Sequence, residues 1–474
     1  MFQKNKKSSI LFFAIIIVML LIVSPIILNQ ISKPGYLCRD CNLILISITN
    51  IGAKHTSLYG YYRNTTPELD AFAKNAIVFE NAFTHSSWTL PSGISLFSSQ
   101  YPYTHGVMSR LYGKKLNSST ETLVDLLRSS GYTTAASTGG FDYSPRYGLV
   151  NRFFYNLPQN TTIRDFHLNQ MHLNFTIPEA INWLAQNKDE KFFLFIQGYD
   201  AHCPFIPPQP YDNLFNSSGV HTVNSSYCVR GYPDAENEMK IYKAYYHLTG
   251  QDPISIDEND VDYLVSQYDG EIAYVDSTLS SLLNYLENSG LLQNTIVVIT
   301  SEHGEMFAKY GRFGRAGTLR GTHYDDVVRI PLIVYHPKLS QARVNGLVQL
   351  IDVMPTLLDF LGVRTPSSAQ GKSLVPLILE GNEVNEYVLM GSRYGRADAT
   401  EYNLVSINEA IRSKEWKLIR EIIFEENTTE KLELYHIKKD KDELNNLVGS
   451  RKDVLEILYT KLSEWSNSVK ISIE

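Results

Sequence analysis

Residues 43–50 of this chain read LILISITN, a nearly unbroken apolar run of strand length that ends in Thr49 and Asn50. A strand that is apolar at almost every position has both faces buried, as in a parallel sheet with helices on both sides. Two further runs, 192–199 and 295–300, have the same character. Helical patterns and shorter strands alternate with these runs, the helices at 67–76, 121–130, 260–288 and 352–361 and the strands at 133–137 and 330–335. The alternation predicts an α/β fold with a large, mostly parallel central sheet covered by helices on both faces.

The pattern changes near the end of the chain. Residues 410–422 and 432–437 alternate as paired antiparallel strands do, and 451–466 has the period of an amphipathic helix. We therefore expect a main domain over 42–384 and a small C-terminal α+β subdomain over 385–474.

Composition narrows the class of protein. The chain has 474 residues, of which 43% are hydrophobic, and this is enough to bury a large core. The formal net charge of -7 is scattered, without a basic stripe or an acidic tail. These features argue against nucleic acid as a partner.

The N-terminus predicts contact with a membrane. Three lysines within residues 1–9 precede an uncharged apolar run over 10–28, which is long enough to cross a bilayer as a helix. Positive charge before such a run holds the short tail in the cytoplasm. We expect a single-pass signal anchor at 10–28, a linker at 29–41 and a large extracytoplasmic domain. A cleaved signal peptide is the alternative, and it places the domain on the same side.

The four cysteines are compatible with that location. Cys203 and Cys228 flank a loop that a disulfide would close. Cys38 and Cys41 form a lone C-x-x-C, which without a second pair is weak as a zinc site, and a local disulfide or a lipid-modified cysteine is at least as good an interpretation.

Polar side chains follow each of the three buried strands. They are Thr49 and Asn50, then the segment 200–202 (Asp-Ala-His), then the segment 301–305 (Ser-Glu-His-Gly-Glu). Ligands of such sheets bind beyond the carboxyl ends of the strands. The acid and imidazole in 301–305 suit a divalent cation, and the imidazole in 200–202 suits a leaving-group oxygen.

A further candidate is Thr89, in the segment 86–93 (SSWTLPSG). Pro91 is well suited to a first helical turn, which would place Thr89 just ahead of a helix N-terminus. The free N–H groups and the dipole there favour an anion, so the hydroxyl is a candidate nucleophile toward a phosphoryl or sulfuryl group. The alternative is that Thr89 only caps the helix.

Many short motifs between Asn42 and Val448 together resemble the sulfatase family of the alkaline-phosphatase-like superfamily. They occur in the family's order at 58–61 (LYGY), 66–70 (TPELD), 79–83 (FENAF), 88–92 (WTLPS), 200–202 (DAH), 300–305 (TSEHGE), 329–333 (RIPLI), 352–358 (DVMPTLL), 371–374 (GKSL), 416–419 (WKLI) and 433–435 (ELY). The resemblance implies a sulfatase fold and hydrolysis of sulfate esters at a calcium ion that aspartates hold.

The chain departs from the family at the site itself. Thr49 and Asn50 stand where the family has aspartates, and Glu302 stands where it has a later aspartate. The family's nucleophile is a formylglycine made from Cys or Ser in C/S-x-P-S-R. The corresponding residues here are Thr89 and Gly93, so no formylglycine is expected and the chain resembles a divergent member.

Two functions are compatible with these residues; a third interpretation, a purely structural envelope protein, leaves the candidate cleft residues unexplained. The first is an ester hydrolase or transferase that acts on sulfate or phosphate, and the second is a pseudo-sulfatase that binds anionic glycans as a membrane-anchored module. The partner would be a sulfated or phosphorylated small molecule, a glycan or an envelope component. By resemblance the ion is calcium, with zinc or manganese as alternatives.

The expected residues are Thr89 and His202 for catalysis, Ser92 and Arg320 for substrate, and Asn50, Thr89, Glu302 and His303 for the metal. Arg320 stands in 319–324 (LRGTHY) where the family has a substrate-anchoring Lys, and Asp325 and Asp326 are candidates to replace missing carboxylates.

Overall fold

The computed structural model describes residues 35–108, 115–139, 141–157, 172–215, 219–225, 228–233, 239–244, 254–315, 321–397, 402–424 and 427–469. The predicted anchor at 10–28, the tail at 1–9 and Arg320 lie outside these residues. Within the described part of the chain, no helix combines the length and the apolar character needed to cross a membrane.

The described strands, in chain order, are β1 (Asn42–Ile48), β2 (Ile77–Phe83), β3 (Thr133–Ser137), β4 (Tyr155–Leu157), β5 (Phe192–Gly198), β6 (Cys228–Pro233), β7 (Met239–Ala244), β8 (Thr295–Thr300), β9 (Arg329–Ile330), β10 (Leu332–Tyr335), β11 (Ala342–Gln349), β12 (Val388–Ala397), β13 (Tyr402–Arg412), β14 (Lys417–Ile423) and β15 (Thr429–Tyr435). The α-helices are α1 (Pro67–Phe72), α2 (Thr89–Ser98), α3 (Pro102–His105), α4 (Leu123–Ser129), α5 (Leu173–Asn187), α6 (Glu258–Asn288), α7 (Asp325–Val328), α8 (Val353–Leu361), α9 (Val375–Glu380) and α10 (Lys452–Val469).

The central sheet has nine strands and is mostly parallel, as the sequence predicts. Its order is β11-β2-β10-β8-β1-β5-β3-β4, and β9 pairs with β2. The strands β9 and β10 run antiparallel to their neighbours. The sequence predicts a single strand over 330–335, but the structure has two because Pro331 has no N–H to donate to a ladder.

The central strand β1 is buried on both faces. Leu43 and Leu45 belong to one apolar cluster, which includes Phe97 of α2. Ile44 belongs to a second cluster, which includes Ile272 of α6. Both faces of the sheet are therefore covered. This explains why β1 is apolar on both sides and does not alternate between polar and apolar residues.

A second, four-stranded antiparallel sheet of order β12-β13-β14-β15 lies near the C-terminus. The predicted antiparallel pairing of 410–422 with 432–437 is seen between β14 and β15. The first part of 410–422 belongs instead to β13, which pairs with β14 on its other side. Helix α10 packs on this sheet through Leu458, Leu462 and Trp465. The predicted domain bounds, 42–384 and 385–474, stay predictions.

Cys38 is disulfide-bonded to Cys41, which is one of the alternatives that the sequence leaves for this pair, and Cys203 is disulfide-bonded to Cys228. The second disulfide ties the loop after β5 to β6. That loop carries His202, so the bond restrains the backbone beside a candidate site residue.

Candidate functional site

The three polar segments meet at one edge of the sheet, because β1 lies between β8 and β5 and is parallel to both. Side chains join them directly. Asn50 Nδ2 donates to the carbonyl of Ala201 at 2.6 Å, and the Ile51 N–H donates to Ser301 Oγ at 3.2 Å. The convergence expected from the strand order is confirmed.

Thr89 also belongs to this site. Helix α2 begins at Thr89 and Trp88 is its N-cap, so Thr89 is the first helical residue and not the residue ahead of the helix. No side chain caps this N-terminus. The Thr89 hydroxyl instead lies 3.1 Å from Nε2 of His303 and is fully buried. The contact favours a chemical role for this hydroxyl over a capping role.

The contacts of His303 fix its tautomer. Its Nδ1 lies 2.9 Å from the carbonyl oxygen of Gly304, and a carbonyl oxygen can only accept a hydrogen bond. Nδ1 therefore carries the proton and Nε2 has the lone pair. A hydroxyl, an imidazole and a carbonyl that orients the imidazole occur together here, and an arrangement of this kind can activate a hydroxyl.

Arg315, which the sequence analysis did not single out, joins the two histidines of the site. Its Nη1 donates to Nε2 of His303 at 3.1 Å, and its Nη2 donates to Nε2 of His202 at 3.0 Å. His202 has the same tautomer as His303, because its Nδ1 lies 2.8 Å from the carbonyl of Cys203. Nothing in the sequence distinguishes Arg315 from its neighbour Arg312, and the motif in 319–324 points to Arg320 instead.

Glu302 lies beside this group and is fully buried. Tyr143 donates its hydroxyl to Oε1 of Glu302 at 2.7 Å. Burial raises the pKa of Glu302 to about 7, and the hydroxyls of Tyr143, Ser47 and Thr49 offset part of the rise. The carboxyl group is thus surrounded by hydroxyls, and within the described residues its Oε2 has no partner at hydrogen-bond distance.

The end of β1 is held by amide groups. Asn50 adopts a positive φ of 72° and donates its Nδ2 to Oε2 of Glu305 at 2.6 Å. Thr49 Oγ1 accepts from Nε2 of Gln197 at 2.7 Å. Among the described residues, Oδ1 of Asn50 and Oε1 of Glu305 are buried without a hydrogen-bond partner.

Three further residues were candidates from the sequence. Ser92 accepts from the Thr84 hydroxyl and donates to the carbonyl of Ser86, so its hydroxyl contacts its own loop. Asp325 pairs with Arg412 and Lys417, and Asp326 pairs with Lys54 and Lys309. The charges of Asp325 and Asp326 are therefore balanced by these basic side chains. The expectation that the two aspartates replace the missing carboxylates as metal ligands is not supported.

The site has mixed properties for a divalent cation. The unpartnered oxygens of Asn50, Glu302 and Glu305 are of the type that calcium prefers. The guanidinium of Arg315, however, donates to the His303 nitrogen that would bind an ion. A divalent ion about 4 Å from a guanidinium is repelled by on the order of 8 kcal/mol at an effective dielectric constant of about 20. Within the described part of the chain, no three His, Cys, Asp or Glu side chains are grouped as a metal site. The residues present, in this arrangement, do not fit a divalent ion.

Comparison with known proteins agrees with the architecture. The family model described as Sulfatase matches residues 41–363, and that of the C-terminal part of N-sulphoglucosamine sulphohydrolase matches residues 320–468. Arylsulfatase K of Bos taurus is 25% identical over 463 residues, covering 91% of this chain and 82% of the relative. N-acetylglucosamine-6-O-sulfatase of Bacteroides thetaiotaomicron is 23% identical, covering 90% of this chain and 87% of the relative.

Solved structures share the fold over nearly their whole length. One is a protein in complex with its substrate D-glucosamine-2-N,6-O-disulfate, with a TM-score of 0.69 and 20% identity, covering 91% of this chain and 98% of that one. Another is a phosphonate monoester hydrolase of Agrobacterium radiobacter, with a TM-score of 0.67 and 19% identity, covering 90% and 95%. The match of the Sulfatase model to well over half of the residues is decisive, and this chain belongs to the sulfatase family.

Proposed function

We propose that this chain hydrolyses sulfate esters, with the Thr89 hydroxyl as nucleophile and the His303 imidazole as the base that takes its proton. The observation that carries the proposal is the 3.1 Å contact between Thr89 Oγ1 and His303 Nε2 at the start of α2. The tautomer of His303 leaves Nε2 able to accept that proton. Sulfate is the ester that the family hydrolyses, and phosphate is the alternative that a threonine nucleophile favours.

The reaction would run in two displacements. The proton of Thr89 passes to His303 Nε2 as Oγ1 bonds to sulfur, the ester S–O bond breaks, and the departing alkoxide takes that proton. Water then gives a proton to His303 while its oxygen bonds to sulfur. The bond from sulfur to Thr89 breaks, and the threonine regains its proton as hydrogen sulfate leaves. The N-terminus of α2 favours the negative charge of the sulfuryl oxygens throughout.

The other site residues predicted from the sequence belong to this proposal as well. His202, through its contact with Arg315, would position the guanidinium, and a proton transfer to the leaving group would first require this contact to open. Ser92 and Arg320 stay proposed substrate residues. Sulfatases generally use a divalent metal ion such as calcium, with Asn50, Thr89, Glu302 and His303 as the ligands that the sequence predicts here. Because the residues present do not fit the ion, no step of the mechanism runs through it.

The substrate we propose is a sulfated sugar or glycan. One relative is named for action on a 6-O-sulfated N-acetylglucosamine, and a structural neighbour was solved with a disulfated glucosamine. An envelope component of the same chemistry would also fit an extracytoplasmic enzyme.

We further propose that the domain acts outside the cytoplasm, held by the single anchor at 10–28. The basic flank of the apolar run supports this. The two disulfides also support it, because such bonds persist in oxidising compartments. Protease added to intact cells would then degrade the domain, whereas full protection would contradict the proposal.

Turnover of 4-nitrophenyl sulfate by the purified full-length chain tests the function. Thr89→Ala should lose roughly three orders of magnitude or more in kcat, since the nucleophile is gone, while Thr89→Ser should keep a measurable part. Thr278→Ala is the matched control and should act as wild type, because the Thr278 hydroxyl donates to the carbonyl of Tyr274 within its own helix α6. Peptide mass spectrometry should find unmodified threonine at residue 89 in the resting protein. Turnover that survives in Thr89→Ala would refute the assignment.

The second candidate is a binding module for anionic glycans. The observation that favours it is the replacement of the family's carboxylates by Thr49 and Asn50, which are held by amide hydrogen bonds. This candidate predicts glycan binding without turnover by any form of the chain, including one with Thr89 intact.

A further inference from the structure

Arg315 stands at the centre of the site. Its two terminal nitrogens reach Nε2 of His202 and Nε2 of His303, at 3.0 and 3.1 Å. The second of these histidine nitrogens also contacts Thr89 Oγ1 at 3.1 Å. The Arg315 guanidinium and the Thr89 hydroxyl, the proposed nucleophile, therefore contact the same nitrogen atom, Nε2 of His303.

A second, independent feature at the same place favours a negative group. Helix α2 has ten residues, begins at Thr89, is wholly buried and has no side-chain cap. Its first N–H groups lack partners within the helix and point their dipole at the position of Thr89. An anion between Thr89 and Arg315 would face positive potential from both sides.

The carboxylates that balance a divalent ion in the family are reduced in this chain. Thr49 and Asn50 carry no charge at the positions where the family has aspartates. A site that lacks these two carboxylates has less negative charge to balance a dication. A guanidinium supplies one positive charge and, unlike a metal ion, needs no carboxylate ligands to hold it in the site. Its planar fork of N–H groups suits the oxygens of sulfate and phosphate.

We infer that Arg315, held between His202 and His303, is the cation of this site and binds the sulfuryl group of a sulfate monoester without a divalent metal ion. The inference rests on the proposed function for the place of the ligand. One guanidinium matches the single charge of a sulfate monoester better than the nearly double charge of a phosphate monoester. When ester oxygens accept the Arg315 donors, Nε2 of His303 is left to the Thr89 proton.

Calorimetric titration of the full-length protein with methyl sulfate, in EDTA, tests the inference without any turnover. We expect wild type to bind methyl sulfate with an affinity that added calcium does not change, and to bind methyl phosphate at least several-fold more weakly at pH 8. Arg315→Gln should weaken methyl sulfate binding tenfold or more. Arg315→Lys should fall between, because one ammonium group cannot span both imidazoles.

Arg312→Gln is the matched control, because it removes the same charge from the same loop but faces Glu421 instead of the histidines. It should bind methyl sulfate as wild type does. Binding that appears only after calcium is added would overturn the inference, and so would Arg315→Gln binding as tightly as wild type. Thr89→Ala separates the proposed hydrolysis from the proposed binding by Arg315, because it should abolish turnover and leave methyl sulfate binding intact. If wild type binds methyl sulfate but does not turn it over, only the proposed reaction is refuted.

Discussion

The hydroxyl of Tyr143 donates a 2.7 Å hydrogen bond to the buried carboxyl group of Glu302. The same hydroxyl oxygen would lie only 2.5 Å from a Cβ atom at Gly93. Gly93 stands where the resemblance to the sulfatase family places an arginine, and in this chain Tyr143 occupies the space beside α2 at that position. With Tyr143 placed in this way, a side chain at position 93 would overlap its ring.

The close approach of Tyr143 predicts a coupled pair. Gly93→Ala should cost about 1–3 kcal/mol by overpacking, and Tyr143→Phe should cost about 1–3 kcal/mol because Oε1 of Glu302 loses its donor. The double variant should lose less than the sum, since Phe lacks the oxygen nearest the new methyl group. Urea unfolding of the full chain measures the three free energies.

Two controls accompany this double-mutant cycle. Gly449→Ala adds a methyl group where no atom lies within 4 Å, and the hydroxyl of Tyr285 has no hydrogen bond to the described residues. Gly449→Ala and Tyr285→Phe should each stay within about 0.5 kcal/mol of wild type. Strictly additive losses for Gly93 and Tyr143 would show that the two side chains do not meet.

The raised pKa of Glu302 predicts a pH-dependent effect of Glu302→Gln. The pKa in the folded state is about 7, above the ordinary value of 4.5. Below pH 4.5 the group is neutral in both states and costs nothing. Between pH 4.5 and 7 the group is ionised only in the unfolded state, so the cost to the folded protein grows with pH and levels off above pH 7. Relative to wild type, Glu302→Gln should therefore gain stability between pH 5 and pH 8, by at most about 3 kcal/mol.

This comparison isolates one group among several buried acids, because the others are common to both proteins. Unfolding midpoints measured at half-unit steps of pH give the difference curve. Glu456→Gln, an exposed change on α10, should give a flat curve. A flat curve for Glu302→Gln would mean that a positive charge or a bound ion keeps this carboxylate ionised.

The grouping of site residues at the carboxyl ends of the strands could be predicted from the sequence, and the reason is physical. Apolar runs identify parallel strands, and the carboxyl ends of neighbouring parallel strands must meet, so Asn50, His202 and Glu302 could be grouped from the sequence. The start of a helix near Thr89 followed from Pro91, with an error of one residue. These inferences depend on local patterns and on one general rule of topology.

Arg315 and Tyr143 could not be found in this way. The contact of Arg315 with His202 joins residues 113 positions apart, and that of Tyr143 with Glu302 joins residues 159 apart. Both side chains come from irregular segments without a hydrophobic period that would fix their direction. For Tyr143 a signal did exist, because a glycine at position 93 leaves space that another side chain has to fill. Arg315 had no comparable signal.

The last prediction concerns Asn50, whose side-chain amide donates hydrogen bonds to a carbonyl oxygen and to a carboxylate. Its Nδ2 donates to Ala201 O and to Glu305 Oε2, both at 2.6 Å. Asn50→Asp keeps the backbone, since Asp also tolerates the positive φ of 72°. It removes both donations and sets two buried carboxylates against each other, which should cost about 2–5 kcal/mol in EDTA.

Calcium should reverse this loss in the variant and leave wild type unchanged. The new carboxylate, Glu305 and the unpartnered oxygen of Glu302 would provide the charge and the oxygen ligands that calcium needs. Binding to the folded state alone adds about 2.7 kcal/mol when free calcium is 100 times the Kd. Thermal unfolding of the full chain with and without calcium measures the shift, and Asn284→Asp on the exposed face of α6 should show none. Equal stabilisation of wild type and Asn50→Asp would mean that the unaltered site already holds an ion, and Arg315 would then not be its cation. Stabilisation of the variant alone would place its calcium site at the end of β1.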